Sequence, residues 1–366
     1  MTRRVLFVTN HVPPDRAGAF AALHAREGIE LALFGGRSHH ATAAVGDPGV
    51  PHRQIDQREV HGLAASGRYR AVVCGTAGRV ALPAAWRGAR RAGVPFVLWS
   101  ALWGELSTPA HLLARPLMAA IYRDADAVVA YGPHVAAFAR RHGARRVHVA
   151  PQAVDNAFWA APATAPVVRH QTPFLGVFVG RDAWEKGVWV LRSAWRASGL
   201  ERPAALVLVG AGLEPPRARS GGAVAALAEP GEDGIVAVGT RPPAEVRNFY
   251  AQADVVLIPS IASRRFREPW GLVANEAMNQ RTPIIATDAV GAAAGGLVRH
   301  ERNGLVVPAG DADALAGALR RLHDDPGLRE RLGAAAARDV AAYTYDAWAA
   351  GFSAALDDTA TSRRGW

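Results

Sequence analysis

"DVVLIPSIASRRFREPWGLVANEAMNQRTPIIATD", residues 254–288, contains a strand, a loop, a helix and a second strand in that order. "DVVLIPS" and "TPIIATD" are short apolar runs of the kind that form strands buried on both faces. Leu272–Gln280 between them has helical character. A strand, a helix and a strand in this rhythm build a parallel sheet, because parallel neighbours need a long crossover.

The rhythm extends over the whole chain. The first half gives "VLFVT", "ELALFG", "AVVCGT", "PFVLWS", "AVVAYG" and "RVHVAP". The second gives "FLGVFVG", "ALVLVGAG", "GIVAVG", "DVVLIPS", "TPIIATD" and "GLVVPAG". Helical stretches such as "RVALPAAWRGARRAG" and "HVAAFARRHGA" lie between them. Two such series predict an α/β protein with two doubly wound, Rossmann-like domains. "WAAPATAPVVRHQTP", residues 159–173, is rich in Pro and Ala and reads as the linker. The expected domains are therefore 1–163 and 167–344. A last helix at about 345–366 could pack back on the first. Ligands of such sheets bind at the carboxyl ends of strands, so a cleft between the domains is the expected site.

At 366 residues, with half of them hydrophobic and a fifth charged, the chain suits a soluble globular protein. No apolar run reaches the roughly 18 residues of a membrane span. The opening "MTRRVLFVTN" reads as a first strand rather than a signal peptide. The single cysteine, Cys74, lies in a strand pattern and fits a reducing, cytoplasmic setting. The net charge of +10 comes almost wholly from residues 1–165, which carry 19 Arg against 10 acids. No nucleic-acid recognition motif accompanies that excess. An anionic substrate or peripheral contact with an anionic membrane surface is the alternative to a merely solvated basic face.

The loops after strands carry the candidates. "VGRDAWEKGVWVL", residues 179–191, places Arg181 and Lys186 after one strand, a pair of cations suited to phosphate. Lys186 is the only lysine beside 41 arginines. An ammonium is a compact charge on a flexible stem and a guanidinium a wide planar fork, so a site shaped for one resists the other. After "DVVLIPS" come Glu268 and Glu276, with Gly271, Leu272 and Val273 between them at a helix start whose backbone N–H groups would take an anion.

"REPWGLVANEA" resembles the Glu–seven residues–Glu signature of the retaining glycosyltransferases of family 4, which fold as two facing Rossmann-like domains (the GT-B fold). "VGRDAWEKGVWVL" is similar to that family's arginine-and-lysine segment. "VAPQAVDNAFW", "GTRPPAEVRNFYAQADVVLIPS", "TPIIATDAVGAAAGGLV" and "ERNGLVVPAGDADAL" fall where its other segments fall. The resemblance implies a nucleotide-diphosphate sugar as donor, UDP- or GDP-linked, with no cofactor and no metal. Arg181 and Lys186 would hold the diphosphate, Glu276 the ribose and Glu268 the sugar. Backbone N–H groups of Gly271, Leu272 and Val273 would complete the cradle, and Gly239, Thr240 and Arg241 would lie near the base. The acceptor would be a natural product, a lipid or a cell-envelope component.

The first half departs from that family. Many members carry a Gly-Gly pair after the first strand, where "HVPPDRAGAF" has only Gly18, which the resemblance would make a donor contact. Many carry a histidine after the strand here ending "VLWS", and "ALWGE" has none. His11, Trp99 and Trp103 are the acceptor candidates, the two tryptophans competing with a core role. "DAD" at 124–126 reads as a helix end rather than a metal site, "DAD" at 311–313 as a helix start, and "GAG" at 210–212 as a tight turn. His39 and His40 fall in a polar loop. Two other functions fit the same residues: a sugar-nucleotide epimerase, and a non-catalytic nucleotide-sugar-binding partner of another transferase.

Overall fold

Alternating side chains of the first strand, Val5 and Phe7 against Leu6 and Val8, enter two separate apolar cores, one on each face of a sheet. A strand covered on both sides has no polar face to show, so its sequence is continuously apolar. The computed structural model describes residues 4–35, 48–167, 172–200, 203–213 and 233–364; His39 and His40 lie outside them.

The chain divides into two compact units, Met1–Asp155 with Tyr343–Trp366, and Asn156–Ala342. The first unit contains strands β1 (Val5–Thr9), β2 (Ile29–Leu33), β3 (His52–Gln54), β4 (Ala71–Gly75), β5 (Phe96–Ser100), β6 (Ala127–Ala130) and β7 (Val147–Val149). They form one parallel sheet in the order β3-β2-β1-β4-β5-β6-β7. The strand order reverses between β1 and β4. The final helix, Tyr345–Arg364, belongs to this unit. Its Trp348, Phe352, Ala355 and Leu356 join Val5, Phe7, Phe20 and Trp99 in the core on one face.

The second unit contains β8 (Leu175–Val179), β9 (Ala205–Val209), β10 (Ile235–Gly239), β11 (Val255–Ile258), β12 (Ile284–Thr287) and β13 (Gly304–Val307). This sheet is also parallel, in the order β10-β9-β8-β11-β12-β13. Its order reverses between β8 and β11, which are directly paired, Val177 opposite Val256. Both units are thus Rossmann-like.

The division falls at Asp155/Asn156, eight residues before the boundary expected at 163. Asn156–Ala160 is a short helix of the second unit. Gln280 Nε2 donates to the carbonyl of Ala161 at 2.7 Å, and Asn248 Oδ1 accepts from Thr164 N at 2.9 Å. Residues expected to be linker are therefore tied to the second unit by side-chain amides, which no local pattern announces.

β3 escaped the sequence reading. It is a sheet edge whose three residues, His52, Arg53 and Gln54, are all exposed, so no apolar run marks it. "DAD" at 124–126 does close a helix, Pro109–Asp124, and Asp311 caps the helix Ala312–Asp324 by accepting from Ala314 N at 2.8 Å. Among the described residues no helix is long and apolar enough to cross a membrane.

Candidate functional site

The switch point of the second sheet gathers the acids and cations singled out in the sequence. β8 and β9 end in close contact. A side chain on Gly210, which has φ 142°, would meet the Gly180 carbonyl at 1.9 Å, so the "GAG" turn needs its first glycine. After β8 the chain makes a 3-10 turn, Trp184–Lys186, and Gly187 follows at φ 69°. A Cβ there would meet the Pro259 carbonyl at 2.0 Å. That glycine seats the Lys186 turn directly against the end of β11.

Lys186 consequently reaches a residue 82 positions away. Its Nζ donates to Glu268 Oε2 at 2.5 Å, and Ser260 Oγ donates to the same oxygen at 3.2 Å. Glu268 is 7% exposed. A carboxylate and an ammonium both taken from water cost several kcal/mol each, so they are kept only as a close pair with further hydrogen bonds. Arg181 is also paired, with Glu185 Oε1 at 3.3 Å, but it is more exposed than Lys186. The sequence reading gave both cations to a diphosphate. In this structure each has a carboxylate partner, which a phosphate would have to share or displace.

Backbone geometry fixes Glu268 as firmly as its ion pair. It forms a parallel bridge with Val290, and its carbonyl accepts from Gly291 N at 3.1 Å. A Cβ on Gly291 would meet the Pro269 carbonyl at 2.0 Å, so glycine is required for this approach. Trp270 is buried, and its indole N–H donates to Asn275 Oδ1 at 2.7 Å. Gly271 turns the chain at φ 91° into the helix Val273–Asn279, slightly shorter than the expected 272–280. The first backbone bond of this turn runs from Ala274 N to the Gly271 carbonyl at 3.0 Å. The N–H groups of Leu272 and Val273 precede it, as the first groups of any helix do.

Glu276 lies in the first turn of that helix. Its Oε2 accepts from Tyr250 Oη at 2.7 Å. Tyr250 is fully buried, and burial followed by the charge of Glu276 pushes its hydroxyl far above the usual tyrosine range. It stays a donor at every working pH and so orients the carboxylate. Tyr250 and Ser260 were missed in the sequence, where neither type of residue stands out from its surroundings. Removing the hydroxyl with Tyr250→Phe is expected to weaken nucleotide binding by about 0.5–1.5 kcal/mol, the worth of one such bond. Calorimetric titration with UDP would read this, and an unchanged Kd would assign Tyr250 to packing alone.

Gly239 ends β10 at φ 72°, and Thr240 and Arg241 follow it. β10 lies two strands from β8, roughly 10 Å at the usual strand spacing. Arg241 faces Glu245 at 3.8 Å.

The first unit holds three of the other candidates. Gly18 was read as a donor contact. It lies in the helix Ala17–Glu27, where a Cβ would strike the ring of Tyr345 at 2.4 Å. Its missing side chain makes room for the last helix. Trp99, an acceptor candidate with a core role as the alternative, is 8% exposed, with Phe7, Phe20, Tyr131, Trp348 and Phe352 around it at ring distances of 5.4–6.3 Å. Trp103 is half-buried, packed on two cores and edge-on to His134 at 5.0 Å. Trp99 is thus a core aromatic, while Trp103 keeps part of its ring exposed. His11 is half-buried after β1, and burial lowers its pKa, so it is neutral at pH 7. Cys74 is wholly buried in β4, and burial pushes its thiol up.

Residues 173–325 match the model of a family described as glycosyl transferases group 1. Over 132 residues, 34% of the chain, it is 37% identical to D-inositol 3-phosphate glycosyltransferase of Streptomyces bingchenggensis. The match spans 26% of that relative's length, and about a quarter of a Corynebacterium diphtheriae relative of the same name. Solved structures match over nearly the whole chain. Anabaena HepE with UDP and glucose is 17% identical, with a TM-score of 0.71 over 97% of this chain and 99% of that one. Sucrose-phosphate synthase from Thermosynechococcus elongatus is 20% identical, with a TM-score of 0.68 over 96% and 97%.

Proposed function

Because this chain belongs, through residues 173–325, to the group 1 glycosyl transferases and has the GT-B fold, we propose that it is a retaining glycosyltransferase. The donor is a nucleotide-diphosphate sugar, UDP-linked in preference to GDP-linked. A single observation carries the reading. Lys186 and Glu268 meet at the carboxyl ends of β8 and β11, the two strands between which the sheet order reverses, and Glu276 lies in the first turn of the helix that follows. That position is where doubly wound sheets bind nucleotides.

In the reaction the bond from the sugar's anomeric carbon to the β-phosphate oxygen breaks. A bond from that carbon to the acceptor oxygen forms on the same face. The acceptor's proton passes to the leaving phosphate oxygen, so no side-chain base is needed. Negative charge grows on the diphosphate as it leaves, and Arg181 and Lys186 are the groups that meet it. Glu268 then does two things: it holds Lys186 in place and accepts from hydroxyls of the donor sugar. Glu276, oriented by Tyr250, accepts from the ribose. Among acceptors, natural products, lipids and cell-envelope components all remain open. The arginine excess of residues 1–165 supports a peripheral contact with anionic membrane as part of the same reading.

A panel of UDP- and GDP-sugars, assayed for hydrolysis and for the anomer of the product, tests the reading. Turnover of one donor with the configuration kept is the expected result. A product sugar-nucleotide with an inverted centre and no glycoside would establish an epimerase instead. Transfer is also expected to survive excess EDTA, since the cations above supply the positive charge. Loss of activity that returns with Mg²⁺ would refute metal independence.

A further inference from the structure

Arg16 ends the short turn after β1, at the carboxyl edge of the switch point of the first sheet. Its guanidinium lies over two aromatic rings, 5.9 Å from the centre of Trp99 and 5.6 Å from that of Tyr131. Among the described residues it forms no ion pair and no hydrogen bond. Acids are nearby: Asp15 and Asp155 both act on the Tyr345 hydroxyl, which Arg16 also faces. Neither pairs with Arg16.

A half-buried guanidinium carries five donors, and a purely structural arginine finds carbonyls or carboxylates for them. Cation–π contact with Trp99 and Tyr131 seats the group without consuming a single N–H group. The rings themselves are fixed: Trp99 is locked in the core, and Tyr131 packs beside it at 5.4 Å. The fork is therefore seated and unspent. Such a fork matches an oxyanion, phosphate or carboxylate, in two-point contact. The surrounding half of the chain has nearly twice as many arginines as acids, which raises the local concentration of anions.

We infer that Arg16 is a specificity residue that binds an anionic group, phosphate or carboxylate, on the acceptor. The inference rests on the proposed transferase reading, in which the first unit receives the acceptor. Neutral His11, after the same strand, adds no competing charge.

The test uses the full chain, its nucleotide site filled with UDP so that Lys186 and Arg181 do not report. Inorganic phosphate and acetate are titrated at constant ionic strength into wild type, Arg16→Ala and Arg16→Lys. Wild type is expected to bind one of the two anions at least tenfold more tightly than Arg16→Ala, and the one affected identifies the acceptor group. Arg16→Lys, which keeps the charge without the fork, is expected to fall between them and provides the comparison if the alanine variant unfolds. UDP affinity is expected to be equal in all three. Anion binding unchanged in Arg16→Ala, with or without a lower melting temperature, would overturn the inference and leave Arg16 as a cap on its aromatic seat. A loss of UDP affinity matching the loss of anion affinity would also overturn it, placing Arg16 on the donor. If UDP does not bind at all, the transferase reading fails, while the difference between wild type and Arg16→Ala in phosphate binding still decides the role of Arg16.

Discussion

Lys186→Ala is expected to lower kcat for sugar transfer by about 10²–10³, the range for losing one donor to developing charge. The ion pair adds a second consequence. Without its ammonium, Glu268 remains 7% exposed with Ser260 as a remaining donor. Removing one partner of a buried ion pair costs about 3–5 kcal/mol, so the alanine variant is also expected to melt early. Glu268→Gln added to Lys186→Met removes both charges together. That double variant is expected to regain most of the lost stability and none of the activity. Stability and catalysis thereby separate in two measurements, a melting curve and a single-turnover rate. Lys186→Arg is expected to rescue little, because Gly187 clamps the turn against Pro259 and leaves a wider head no way to withdraw. An arginine variant with wild-type kcat would show that the single lysine is accidental.

Trp99→Ala is expected to cost about 3–5 kcal/mol of folding free energy, the usual loss for a large aromatic removed from a core. For a unit of this size that is a fall of about 6–20 °C in melting temperature. Five aromatic neighbours lose a common partner, among them Trp348 and Phe352 of the last helix. Trp103→Ala is expected to cost distinctly less, since that ring is only half-buried. UDP affinity of the folded Trp99→Ala protein, measured well below its melting point, is expected to stay at the wild-type value, because the candidate nucleotide residues belong to the other unit. A melting temperature within two or three degrees of wild type would contradict the packing role.

Most strands were legible because apolar residues dominate them; among the described residues, twelve of the thirteen follow from runs read in the sequence. β3 was not, since an exposed edge strand takes its shape from its neighbour β2 rather than from its own residues. Arg181, Lys186, Glu268 and Glu276 could be found because they follow strands. That Lys186 and Glu268 form a pair could not, because it depends on two glycines, Gly187 and Gly291, whose contacts are distant in sequence. Trp99 stood open between cleft and core. Its place at a strand's carboxyl end allowed the cleft, but the core around Phe7 and Phe20 is completed by a helix some 250 positions later, and that helix covers it. Gly18 was misread for the same reason, its neighbour being Tyr345.

That last helix also sets an order of events during synthesis. Asn156–Ala342 is continuous in the chain, so its sheet can close as soon as it leaves the ribosome. The unit that begins at Met1 cannot. Its β1 strand shares a core with Trp348 and Phe352, which are made some 340 residues later. Until those residues emerge, the aromatic face formed by Phe7, Phe20 and Trp99 stays uncovered, open to chaperones and to aggregation. The unit begun before Asn156–Ala342 is therefore completed after it, and a nascent chain stopped before residue 345 leaves that face bare.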